Sequence, residues 1–197
     1  MAVELISAKL ISPYFGTSLY VWAPVLAITL GGLATGYFLG GIISKRYPYV
    51  KILFIIIAIS AILVAIMPHT SKMIMGYFIS LERATGSNWL RTGTTVSCII
   101  FLLPPIACFG MIAPLTIRLV TTELEKVGKS AGTVYAISTF GGIITTFLFG
   151  FYMIPFVGLR ASCYYTAIAL AVLPVGFLLI SIFLAKTQSE QRTQSFF

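Results

Sequence analysis

The chain contains no aspartate, five glutamates and a single histidine among its 197 residues, and charged residues make up only 9% of it. A catalytic or metal centre of the soluble kind needs acids, imidazoles or thiols gathered within reach of one another, and this inventory supplies almost none. His69 stands beside Pro68 at the end of an apolar run. It cannot supply the paired imidazoles of a b-type haem, so it reads as an interfacial residue. The three cysteines, Cys98, Cys108 and Cys163, lack CxxC spacing and fall inside apolar runs, where a free thiol behaves as a small hydrophobe. Neither the glycine fingerprint of a dinucleotide site nor a phosphate-binding P-loop sequence is present. No cofactor and no metal are expected, and the chain leans away from catalysis because it holds no catalytic constellation.

What the chain has in excess is apolar surface. Hydrophobic residues make up 58% of it and its mean hydropathy is +1.01, which leaves too little polar surface to cover a water-soluble globule. The net charge of +8 would suggest nucleic acid in a soluble protein. Here the Lys and Arg residues sit between the apolar runs, where they set orientation and meet lipid headgroups. The expected contact is therefore a lipid bilayer, with no nucleic acid.

Uncharged runs recur at 21–43, 52–67, 94–117, 131–154 and 161–185. A helix rises about 1.5 Å per residue and the hydrocarbon core is about 30 Å thick, so these runs predict five spanning helices in an all-α polytopic bundle. A short N-terminal helix over 1–11 should end at Ser12-Pro13, because the residue before proline avoids helical angles. Nothing in that stretch resembles a cleavable secretory signal, and Glu4 stands where basic residues would be expected. Between the second and third spans, Met73, Ile74, Tyr77, Phe78 and Leu81 share one helical face beside Lys72, Glu82 and Arg83. That pattern predicts a separate helix lying in the interface. The third span holds Pro104, Pro105 and Pro114, which remove backbone donors and should kink or break it near mid-membrane.

One membrane domain is expected over 1–185, followed by a polar tail over 186–197 whose Gln, Ser and Thr content suggests disorder. Lys45, Arg46, Lys51, Arg118, Lys126, Lys129, Lys186 and Arg192 lie to one side of the spans, against Lys9, Lys72, Arg83, Arg91 and Arg160 on the other. Eight against five predicts that the first side, with the C-terminus, is cytoplasmic in a multi-pass protein of the cell's cytoplasmic (inner) membrane.

Two ridges of small residues stand out. Gly32, Gly36 and Gly40 are spaced four apart in the first long span, and Ser138, Gly142, Thr146 and Gly150 repeat that spacing in the fourth. Such ridges let helix backbones approach closely, and packing is a simpler use of them than a substrate path. Glu4 and Lys9 form a possible intramembrane polar site. Five residues apart on a helix, they point about 140° away from each other and so need other partners. A charge at membrane depth is suspect as functional, although a short helix at the interface would lower its cost.

Two stretches carry a family resemblance. Residues 4–18, then Tyr20-Val21-Trp22, Gly36-Tyr37 and Gly40-Gly41, and later Val127-Gly128, Ala131-Gly132, Val134-Tyr135-Ala136, Ser138-Thr139, Gly141, Gly150-Phe151 and Ile154-Pro155, resemble the membrane region of the spermidine synthase-like multispanning proteins. Some of these are fused transporter-type and spermidine synthase proteins. The resemblance implies a polytopic module remotely similar to half of a major facilitator transporter, preceded in the family by a fuller first span. The acidic residue usual in that superfamily's cytoplasmic loop is absent here, with Ser44 near its place. In fused members an aminopropyltransferase domain follows. The present sequence, without aspartate or a nucleotide-binding glycine turn, does not carry one. The expected role is a noncatalytic integral membrane subunit that packs against and anchors other membrane subunits. A transporter-like protein for a small, possibly cationic solute and the membrane part of a split aminopropyltransferase are the alternatives.

Overall fold

A computed structural model describes the backbone of residues 1–15, 19–85, 90–121 and 127–194, and side chains within those limits except at 14–21, 82–91 and from 182 onward. The side chains of Arg83, Arg91, Lys126, Lys186 and Arg192 lie outside the described residues, as do those of residues 14–18 and 20–21 of the resemblance. Seven α-helices and one π-helical segment follow in order, and there is no strand among the described residues. They are α1 (Ala2–Phe15), α2 (Leu19–Arg46), α3 (Val50–Thr85), α4 (Leu90–Phe101), α5 (Leu103–Val120), α6 (Val127–Leu148), the π segment (Phe149–Val157) and α7 (Leu159–Gln194).

Five stretches are long and apolar enough to cross a membrane: Trp22–Arg46, Val50–Leu81, Leu103–Val120, Val127–Val157 and Leu159–Ser181. Their packing is the inverse of a soluble protein's. Leu30, Phe38, Ile62, Phe140, Phe151 and Phe156 stand exposed, while Ser7, Ser60, Thr94, Ser97 and Ser162 are buried. An outer surface of large apolar side chains is stable only where the solvent is itself apolar, so the chain is an integral membrane protein in contact with lipid. Several hydroxyls within the spans bond to their own helix, where no water can serve them. Thr35 donates to the Gly31 carbonyl at 2.8 Å, Ser60 to Ile57 at 2.8 Å and Thr166 to Ser162 at 2.7 Å.

Helix α1 sits among α2, α3, α4, α6, α7 and the π segment. Its face of Val3, Ile6, Ser7, Leu10 and Ile11 is buried, so this short helix is part of the core. It also continues one turn further than expected and takes Pro13 into its last turn. Proline there removes only one hydrogen bond, which a helix end tolerates.

The separate interfacial helix expected between the second and third spans is absent, because residues 73–81 continue α3. The continuation is held by packing: Met75 is fully buried, and the Phe78 ring lies where a Cβ on Gly93 of α4 would come within 2.9 Å of it. Part of the apolar face that suggested an interface therefore meets a neighbouring helix. Pro68 does not end the second span either, since Thr70 and Ser71 donate to the carbonyls of Ile66 and Pro68 across that turn. At the far end, α7 runs through the expected boundary at 185 to Gln194, so the backbone of residues 186–194 is helical.

The π segment ends at Gly158, whose N–H bonds to the Met153 carbonyl at 3.2 Å. Gly158 has φ 90° and ψ 158°, a conformation almost confined to glycine, and it turns the chain into α7.

Candidate functional site

Among the described residues, α2 and α5 form a close parallel seam. A Cβ on Gly32 would stand 2.9 Å from Cγ2 of Ile106, and one on Gly40 would stand 2.7 Å from both the Met111 Cα and the Pro114 Cγ. At Gly36 a Cβ would overlap the Ala107 carbonyl oxygen and lie 2.8 Å from the Gly110 Cα. Backbone therefore rests on backbone over two turns, a spacing open only to residues without a side chain. Gly110 is the half of this seam that sequence reasoning missed. A Cβ there would lie 2.9 Å from the Gly36 Cα. Its one available signal was its position four residues before Pro114, on the same helical face.

The ridge on α6 is placed differently. A Cβ on Gly142 would meet the Met1 side chain at 3.1 Å, and Thr146 donates to the Gly142 carbonyl at 2.8 Å. Ser138 and Gly150 are exposed, and nothing lies within 4 Å of the position a Cβ would take on Gly150. No residue of α6 is buried. Glu4 is half-buried and Lys9 exposed on α1, with Ala8 and Leu10 buried on either side of Lys9, and the structure does not join the two charges into one site.

Leu102, at φ −96° and ψ −42°, separates α4 from α5. Pro104 and Pro105 carry no N–H, so the carbonyls of Ile100 and Phe101 lose their usual helical donors. The ladder closes around them, with Leu102 donating to Cys98 at 2.9 Å and Ile106 donating to Leu102 at 3.2 Å. Among the described residues three buried hydroxyls, Thr29 of α2, Ser97 of α4 and Thr121 just after α5, have no hydrogen-bond partner. Thr29 precedes Gly32 by one turn, and Gly32 meets Leu103 and Ile106. The register therefore sets Thr29 level with the Leu102 irregularity.

Chemically reactive groups are sparse. Among the described residues no three His, Cys, Asp or Glu side chains gather where a metal ion could be held. Cys98 and Cys163 are buried free thiols, and Cys108 is half-buried and free. His69 is exposed.

The arrangement can hold helices tightly together and present faces to lipid or to other helices. Compared with known families, with curated proteins and with solved structures, the chain matches none.

Proposed function

We propose that this integral membrane protein is a noncatalytic subunit that packs against other membrane chains through α6 and the π segment, and so anchors a larger assembly. One observation carries the reading: α6 crosses the membrane with none of its 22 residues buried, although its Ser138–Gly150 face has the spacing that close helix packing needs. A spanning helix left so bare by its own chain is free to complete its packing with another. The resemblance to the membrane module of spermidine synthase-like proteins, whose fused members carry a soluble domain beyond it, is compatible with such a role. The excess of Lys and Arg near 45–51, 118–129 and 186–192 supports a cytoplasmic C-terminus in the inner membrane.

Extraction from native membranes in mild detergent tests this directly. The expected result is one or more copurifying chains that are lost when Gly150 is replaced by Trp, while helical content stays unchanged. A stable monomer with no copurifying chain would reject it.

A transporter-like reading for a small solute draws support from the unpartnered Thr29 and Ser97 hydroxyls near the proline break. Vesicles that take up no candidate solute would remove that reading and leave the first untouched.

A further inference from the structure

Helices α3 and α7 lie antiparallel, with the rings of Phe54 and Phe177 stacked at 4.2 Å between centroids. Lys72 and Arg160 are almost equally far from that stack along their two helices, so the register brings them level at the opposite end of the seam. Both line one cleft of about 460 Å3, together with Leu10 and Pro13 of α1 and Val157 and Gly158 at the end of the π segment. Between this cleft and the stack, and running slightly past it, the seam holds an open apolar groove of about 470 Å3, bounded by Ala58 and Ala65 on α3 and by Tyr164 and Leu178 on α7.

Cleft and groove belong to one path. At about 100° per residue, Lys72 lies within roughly 30° of the direction in which the α3 groove residues point, and Arg160 does the same on α7. The cations stand about 25 Å from the aromatic stack at 1.5 Å per residue, a distance close to the thickness of the hydrocarbon core.

Charge decides between occupants. Tyr164 and Leu178 are roughly 20 Å apart along α7, a length that one extended acyl chain covers, and the end of the path carries two cations that a phosphate headgroup can meet. At the cleft one cation balances one phosphodiester. The second calls for a headgroup without a positive charge of its own, because a choline or ethanolamine head would bring a like charge beside it. We infer that the α3–α7 seam binds an anionic phospholipid, with its headgroup at Lys72 and Arg160 and one acyl chain in the groove.

The test uses the full chain in phosphatidylcholine bilayers containing a minor fraction of phosphatidylglycerol, with a photoactivatable acyl chain carried first by one lipid and then by the other. The expected result is preferential labelling by the phosphatidylglycerol probe, mapped to groove residues of α3 and α7 and not displaced by inorganic phosphate. K72Q or R160Q alone should cut the preference roughly fivefold, and the pair together roughly thirtyfold. Both side chains are exposed, so helical content should be unchanged. A58L/A171L should block the groove and reduce labelling by both probes. Equal labelling by the two lipids, a preference that survives K72Q/R160Q, or cross-links from the groove residues to a copurifying protein would overturn the inference.

Discussion

Replacing Gly36 by alanine adds a single methyl group at the tightest glycine of the α2–α5 seam. Its carbon would lie 2.8 Å from the Gly110 Cα and would overlap the Ala107 carbonyl oxygen. Two carbons in ordinary contact stand about 3.5–4.0 Å apart, so α2 and α5 must separate by roughly 1 Å. Both helices are stiff, and the gap is therefore felt at Gly32 and Gly40 as well. Overpacking of this kind costs about 1–3 kcal/mol. Gly41 is adjacent to the ridge, yet nothing lies within 4 Å of the position its Cβ would take. Alanine at 41 should bring only a gain in helix propensity, up to about 1 kcal/mol. Both sites lie inside α2, so that gain is common to the two variants, which therefore differ by about 1–3 kcal/mol, or roughly fivefold to 150-fold in the folding equilibrium. Unfolding titrations in one detergent, followed by far-UV circular dichroism, measure that difference. G36A and G41A of equal stability would refute the claim that backbone contact holds this seam. Leucine at 36 adds three further carbons and should prevent the seam from closing at all.

Gly158→Ala should destabilise the protein by about 1–3 kcal/mol although its Cβ would meet nothing within 4 Å, because the strain lies in φ 90° and ψ 158°; a melting temperature equal to that of the parent would contradict this. Cys108 should react with a membrane-permeant maleimide before Cys98 and Cys163, which are buried, and mass spectrometry of timed samples gives the order. If instead all three thiols react together in the folded protein, the packing of α4 and α7 described above is wrong. An impermeant thiol reagent applied to intact cells should label a cysteine placed at Met73 and spare one at Tyr47, since Met73 follows Lys72 and Tyr47 follows Arg46 on opposite sides of α3; the reverse pattern would invert the proposed orientation.

The spans were legible in the sequence because they depend on length and composition, which the chain states directly. The uncharged runs at 21–43 and 131–154 correspond to Trp22–Arg46 and Val127–Val157, long enough to cross without help from any neighbour. Boundaries set by tertiary contact were less legible. Pro68 and the charge at Lys72 mark a helix end when read locally, but the packing of Met75 and Phe78 carries α3 on to Thr85. A helix over 1–11 is too short to span, and read alone it fits a place at the interface as well as one within the bilayer. Its burial follows from the helices around it, which no local pattern announces.

The two small-residue ridges make the same point at the level of the site. Their spacing is identical, yet α2 is covered along its ridge and α6 is bare along much of its own. The difference lies in the opposing surface. Facing Gly36 is Gly110, itself without a side chain, and facing Gly40 are the Met111 backbone and Pro114, in a helix that lacks one N–H at that turn. Close approach requires small groups on both helices at matching heights, so half of the information for any ridge is written elsewhere in the chain or in another chain. Among the described residues nothing lies within 4 Å of the position a Cβ would take on Gly150, and Ser138 is exposed. Under the proposed anchoring role, a substitution at Gly150 should alter association while leaving the fold of the isolated chain intact.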